Sequence, residues 1–207
     1  MNSLTPSVRK AALAVAGAGD RRVLRTQRAL TQALVELVLA KRYDAITIQN
    51  LLDRADVGRS TFYSHYRGKD DLLLKSFEHM LALFDQLLDR EEPASRRVAP
   101  VRELFRHIGE SRSFQQALAK AHVLDRLYQI GINRMSRTIE RRLAMVSAGP
   151  RGASVPSPVK AQALAGALFS LLRWWVDHEG SYTPEQMDAM FHAMVTEGPD
   201  LTRSSRS

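Results

Sequence analysis

Residues 47–71, TIQNLLDRADVGRSTFYSHYRGKDD, constrain this chain more than any other stretch. They read as two short helices joined by a tight turn. Thr47 is a candidate N-cap, its hydroxyl placed to accept from a free backbone N–H of the next turn. Ile48, Leu51, Leu52 and Ala55 follow on one side, which must be buried. Asp56 falls where the chain reverses, and Asp tolerates the left-handed conformation better than most residues. Val57 is apolar and should plug the angle between the helices. Gly58 is an acceptable N-cap for a helix starting at Arg59. In that second helix Phe62 and Tyr66 are four apart and share a face, assigned to the core. Ser60 and Ser64 then point away from it, with Thr61 and Tyr63 on the flanks.

That second helix carries Arg59, Ser60, Thr61, Tyr63 and His65, a surface too polar for a core. Hydroxyls, a guanidinium and a phenol suit the edges and backbone of a DNA duplex. A helix so mounted lays its first residues against base edges in the major groove. Arg59 can reach guanine O6 and N7 through two parallel bonds. Thr61 can pack on a thymine methyl or donate to a phosphate. Tyr63, His65 and Lys69 suit phosphates, which fix register without reading sequence. Each residue alone has a plainer reading. Ser60, Ser64 and Lys69 can be solvated, His65 can cap or pack, and Tyr66 fits the core better than a contact. The ordered set after this turn is what points to DNA.

Residues from about 24 to 75 resemble the helix-turn-helix domain of TetR/AcrR-type bacterial transcriptional regulators. The resemblance rests on Thr47-Ile48, Leu51, Ala55, Val57, Thr61-Phe62-Tyr63, His65-Tyr66 and Lys69, followed by acids and Leu72-Leu73. It implies a recognition helix from Arg59 to Tyr66. It implies phosphate contacts at Thr47, Tyr63 and Lys69, and base contacts at Gln49, Arg59, Ser60 and Thr61. Asp56 stands where many members have Gly, Gly58 where many have Ser, and Leu52 where Ala is commoner. None of these removes a contact group, although Gly58 removes a side-chain cap. Beyond residue 90 the resemblance extends only to length and helical pattern.

Charge supports the same end of the chain. The net charge is +8. Through residue 75 there are 13 Lys and Arg against 7 Asp and Glu, and in the remainder 17 against 15. A basic excess concentrated at one end is what a phosphate-binding surface needs. There is no cysteine, hence no disulfide framework and no thiolate metal site. No apolar run reaches the length of a membrane span. The N-terminal MNSLTPSVRKAALAVAGAGD is a poor signal peptide, its apolar run short and rich in Ala and Gly. A cytoplasmic protein without cofactor or metal is expected.

The rest of the chain reads as helices, so the fold class expected is all-α. Leu30, Ala33, Leu34, Leu37 and Val38 mark a first helix over 24–41. Arginines 21, 22, 25 and 28 cluster at its start, where a helix prefers anions; they either reach DNA or form a solvated arm. A long helix over 69–90 carries Leu72, Leu73, Phe77, Met80, Leu81, Phe84 and Leu88. A Pro-containing break over 91–100 precedes helices at about 101–110, 113–121 and 123–146, and 149–157 is a loop. Ser157-Pro158 reads as an N-cap before a first-turn proline. Thr183-Pro184-Glu185-Gln186 reads as a capping box. The domains expected are a flexible arm over 1–22, a three-helix DNA-binding domain over 23–70, a larger helical effector-binding and dimerisation domain over 71–198, and a tail over 199–207.

The small residues Ala161, Ala163, Ala165, Gly166 and Ala167 allow close helix approach, either within the chain or between subunits. The resemblance implies a homodimer through helices 158–179 and 184–197, with double-stranded palindromic DNA as partner. It also implies a small-molecule effector site among the middle helices. Phe105, His107, Phe114, His122, Tyr128, Met135 and Trp174 are candidate lining residues there, and plain core packing is the competing reading. A ligand favouring one packing could tilt the 69–90 helix, shifting operator affinity by its differential affinity for the two states. The function expected is therefore a regulator, and a repressor in the first instance. An enzyme is disfavoured: paired metal-binding histidines, a Gly-rich phosphate loop and a nucleophile elbow are all missing from the sequence. A helical adaptor or small-molecule-binding protein without DNA function would not need the basic N-terminal third.

Overall fold

The computed structural model describes residues 18–90, 97–119, 121, 123–146, 155–178 and 182–197. Among them are nine α-helices, a single 3-10 turn and no strand, as the periodicities predict. The helices are α1 (Ala18–Ala40), α2 (Ile48–Ala55), α3 (Arg59–His65), α4 (Lys69–Asp89), α5 (Val101–Glu110), α6 (Arg112–Ala119), α7 (Val123–Val146), α8 (Ser157–Asp177) and α9 (Pro184–Glu197). The 3-10 turn covers Tyr43–Ala45. No helix among the described residues is long and apolar enough to cross a membrane. Residues 1–17 of the arm expected over 1–22, residues 149–154 of the loop expected over 149–157, and the 199–207 tail lie outside the described residues, while residues 18–22 of that arm are helical, within α1.

The chain divides into two compact units, one of residues 1–84 and 107–131, the other of 85–106 and 132–207. The first contains the two-helix turn. Its core gathers Leu30, Leu34 and Val38 of α1, Leu51 and Leu52 of α2, Phe62 of α3, Tyr66 beyond it and Leu72 of α4. Leu118 of α6, Ala121, and Val123 and Leu127 of α7 complete the same cluster. The α1–α4 pattern alone did not reveal these last contributors. Helix α1 begins at Ala18, earlier than the predicted residue 24.

In the second unit the buried apolar side chains include Phe105 of α5, Met135 and Ile139 of α7, Leu168 and Trp175 of α8, and Phe191 of α9. The Phe105 and Trp175 rings meet edge to face at 5.2 Å. An ionic knot ties the elements together. Arg97 donates to Asp188 Oδ1 from Nε at 3.1 Å and Nη2 at 2.8 Å, and to Glu103 Oε2 at 2.6 Å. The Arg102 backbone N–H donates to the same Asp188 oxygen. Arg142 Nε donates to the Arg97 carbonyl, and the Val98 N–H donates to His192 Nε2. Burial alone would raise the Glu103 pKa, but Arg97 overrides it and holds the carboxyl below its ordinary value.

The helix ends agree with the sequence at α9 and differ at α8. Thr183 Oγ1 accepts from the Gln186 N–H, and Gln186 Oε1 accepts from the Thr183 N–H, a reciprocal cap. Helix α8 starts one residue earlier than expected. Ser157 is its first residue, Pro156 stands at the cap, and no side chain caps the end. Proline in the first turn tolerates this, because its missing N–H would have had no intrahelical acceptor. The same helix ends at Asp177, short of Gly180, which lies outside the described residues.

Candidate nucleic-acid interface

The turn forms as its residues dictate. Thr47 Oγ1 accepts from the Asn50 N–H at 3.2 Å, and Asn50 Oδ1 accepts from the Thr47 N–H at 3.1 Å. Sequence reading found Thr47 but missed Asn50. The signal was an amide three residues after a Thr cap, normally sought as Glu or Gln. Asp56 closes α2 in the left-handed region at φ 52° and ψ 50°. It is the sole non-glycine residue with positive φ among those described. Its short polar side chain makes that conformation tolerable. Val57 packs against the core, as its place in the angle requires. Gly58 caps α3 without a side-chain bond.

Behind α3, Phe62 is fully buried and Tyr66 is 5% exposed, their ring centroids 5.7 Å apart. That apolar pair fixes which face of the helix turns outward. Arg59, Ser60, Thr61 and Ser64 are exposed, and Tyr63 is 51% exposed despite its size. Ser64 Oγ donates to the Thr61 carbonyl. His65 is half-buried beside the Tyr66 ring. Gln49 and Arg59 meet across the turn: Arg59 Nη2 donates to Gln49 Oε1 at 2.8 Å, and Gln49 Nε2 donates to Asp53 Oδ1 at 2.7 Å. This chain holds the guanidinium over α2 and reduces the side-chain entropy it must lose on meeting a base. Thr47 spends lone pairs on its cap, so its O–H proton remains for a phosphate.

Lys69 is placed differently from its expected role. An ammonium has three N–H donors. Here Nζ lies 2.8 Å from the Tyr43 carbonyl, 3.2 Å from that of Asp44 and 3.0 Å from that of Ile46. It also sits 4.7 Å from the centre of the Tyr43 ring. These carbonyls end the 3-10 turn and precede the α2 cap. Lys69 thus fastens the start of α4 to the segment leading into the helix pair, with no donor to spare for a phosphate. Tyr43 is anchored in turn, its hydroxyl donating to Asp70 Oδ1 at 2.7 Å, while Asp70 pairs with Arg126 of α7 at 3.3 Å. Burial, then the Asp70 bond, pushes the Tyr43 phenol well above its ordinary pKa, so it stays a donor. Tyr43, Asp70 and Arg126 escaped sequence reading because their partners are 27 and 56 residues apart.

The candidate pocket residues do not share one unit. Phe105, Met135 and Trp174 belong to the second; His107, Phe114 and Tyr128 belong to the first. His122 lies outside the described residues. Phe105 and Met135 are fully buried, and His107 packs edge-on against Phe84. Burial pushes the His107 pKa down to about 4. Trp174 is 40% exposed and stacks on His178 with ring centroids 4.6 Å apart.

Two short helices at a left-handed turn, the second exposing a polar face over a buried aromatic pair, define a helix-turn-helix protein. Residues 30–75 match the sequence model of the bacterial regulatory proteins, tetR family. Residues 30–75 are therefore similar to the helix-turn-helix domain of that family. It is 36% identical over 76 residues to an uncharacterized HTH-type transcriptional regulator, YxbF, of Bacillus subtilis (strain 168). That match takes in 36% of this chain and spans only 20% of YxbF. The whole fold is similar to the dihydroxyacetone kinase operon activator DhaS, with TM-score 0.64 and 15% identity, covering 82% of this chain and 93% of that one. A TetR transcriptional regulator from Streptococcus agalactiae 2603V aligns with TM-score 0.58 and 23% identity over 86% and 97% of the two chains. Lin0861 from Listeria innocua aligns with TM-score 0.61 and 19% identity over 84% and 91%. At these identities the likeness establishes the fold: an N-terminal helix-turn-helix domain joined to a larger helical one.

Proposed function

We propose that this protein is a sequence-specific DNA-binding transcriptional regulator of the cytoplasm, a homodimeric repressor whose affinity for a palindromic operator changes when a small molecule binds. The observation that carries the reading is the outward face of α3. Arg59, Ser60, Thr61 and Tyr63 are presented to solvent on a helix whose other face is locked by Phe62 and Tyr66. Arg59, Ser60 and Thr61 read bases, with Gln49 steering Arg59. Thr47, Tyr63 and His65 meet phosphates, and Lys69 positions the turn. The DNA-binding domain is residues 23–70, and 71–198 serve effector binding and dimerisation. The dimer reading is supported by apolar and small side chains left exposed on the last two helices. Val159, Ala163, Ala167 and Trp174 of α8 and Met190 and Met194 of α9 are exposed.

Selection of bound fragments from a random duplex library tests the proposal. The expected product is an inverted repeat with half-site centres one helical turn apart, about 34–36 Å, or a multiple of it. Binding should weaken steeply with salt, and the protein should sediment as a dimer. Binding without sequence preference, or a monomer at micromolar concentration, overturns it.

A further inference from the structure

Asp53 of α2 is poorly placed for the stability of its helix. It is exposed and stands in the last turn, where the partial negative charge of the helix end disfavours a carboxylate. It makes no ion pair among the described residues. Arg59 is misplaced in the mirror sense, a cation in the first turn of α3. It too is exposed and makes no ion pair among the described residues. Helix stability explains neither. What the two share is Gln49: its Nε2 donates to Asp53 Oδ1 at 2.7 Å, and its Oε1 accepts from Arg59 Nη2 at 2.8 Å.

The Gln49 amide has one way to lie between them. A guanidinium only donates and an ionised carboxylate only accepts, so the amide oxygen must face Arg59 and the nitrogen Asp53. Without the carboxylate nothing holds that orientation. Gln49 and Asp53 are four apart on one helix face, the spacing at which such bonds form. A glutamine that reads adenine turns both its oxygen and its nitrogen to the base, on N6 and N7. Here both are engaged within the protein, and Gln49 serves Arg59 instead. Arg59 spends one N–H on Gln49 and keeps the rest, and its planar group matches guanine O6 and N7 with two parallel bonds. A guanidinium pinned in this way loses less rotamer freedom when it meets the base.

We propose that Asp53 sets base specificity without touching DNA: it orients Gln49, Gln49 aims Arg59, and Arg59 selects a guanine in each half-site. The inference rests on the regulatory reading above and adds to it the base and the positioning residue behind the choice. Its signature is a split that a merely structural role would not give. Removing the carboxylate relieves the end of α2 and takes a negative charge from the face that meets phosphates. Stability and non-specific affinity then hold or rise while discrimination falls.

Asp53→Ala puts the best helix former at an exposed position, so folding is not endangered. Competition binding with the selected operator and its single-base-pair variants reads discrimination at each position, and thermal melting reads stability. The position that Arg59→Ala makes indifferent should be a G·C pair in each half-site. There Asp53→Ala should lower discrimination about fivefold, the worth of one net hydrogen bond, with Tm and affinity for random duplex unchanged or raised. Gln49→Met, which keeps the stem and removes the amide, should lower discrimination at that same position. In an Arg59→Ala background, Asp53→Ala should change nothing there. The proposal falls if the Arg59-dependent pair is not G·C, if Asp53→Ala leaves discrimination intact or weakens every sequence equally, or if its effect persists without Arg59. It falls as well if Gln49→Met instead relaxes an A·T pair elsewhere in the site. A wild-type protein with no sequence preference would overturn the regulatory reading and the relay with it, whereas an indifferent Asp53→Ala beside a selective wild type overturns the relay alone.

Discussion

Replacing Lys69 by Met keeps the aliphatic stem and removes only the ammonium, which separates two roles for this residue. As a phosphate contact, it would cost DNA affinity, flatten the salt slope by about one unit per subunit, and leave stability alone. As the clamp seen here, it should do the reverse. Charge-assisted hydrogen bonds contribute about 1.5–3 kcal/mol each. The three bonds share one ammonium, and the Asp44 carbonyl is exposed enough for water to replace its bond. The Tyr43 and Ile46 carbonyls are partly buried and would be left short of a donor. The cation over the Tyr43 ring adds about 0.5–1 kcal/mol. Allowing for desolvation of the ammonium, the net loss should be about 2–3 kcal/mol. For a chain of this size that lowers Tm by roughly 4–12 °C. Thermal melting and operator titration at several salt concentrations supply both readouts. An unchanged Tm together with a flattened slope would refute the clamp and restore the phosphate contact.

Arg59→Ala should relax base preference at one position of each half-site, costing about 1–3 kcal/mol of discrimination there; an equal affinity loss on every sequence in a binding array would remove Arg59 from base reading. Asp56→Val, a β-branched residue forced to a φ of 52°, should destabilise by about 1–2 kcal/mol, while Asp56→Gly should be neutral or stabilising. Urea midpoints of the two variants check this, and equal midpoints would mean that the turn relaxes. His107 titrates near 4 in the folded protein against about 6.5 unfolded. The unfolded chain therefore takes up the proton first, and stability present above pH 6.5 is lost as pH falls toward 4, by at most about 3 kcal/mol. His107→Gln should remove that part of the slope in urea titrations at pH 7 and pH 5, and an identical slope in both proteins would show that His107 is not its source.

Much of the recognition unit could be read from local order alone. The cap at Thr47, the left-handed Asp56, the plug at Val57 and the Phe62–Tyr66 pair each depend on neighbours within a turn or two. Short-range geometry dictates such features wherever the chain is placed. The helix spans from α4 to α9 were legible for the same reason, since 3.6-residue periodicity survives without tertiary detail. The α8 boundary slipped where the cap was weak, at Ser157, and α1 begins six residues before the apolar periodicity that marked it.

Pairings across long sequence separations were decided by the tertiary structure. Nothing in the composition of Lys69 separates a phosphate ligand from a clamp. The difference lies in whether three carbonyls 23 to 26 residues away converge on its ammonium. Likewise, the core under the helix pair borrows Leu118 and Leu127 from α6 and α7. Asp85 Oδ1 is buried without a hydrogen-bond partner among the described residues, because Arg134, 49 residues away, places both its donors on Oδ2. Sequence periodicity says which face of a helix is buried. Which group waits on the other side, and whether its hydrogen-bonding capacity is met, depends on how the helices come together.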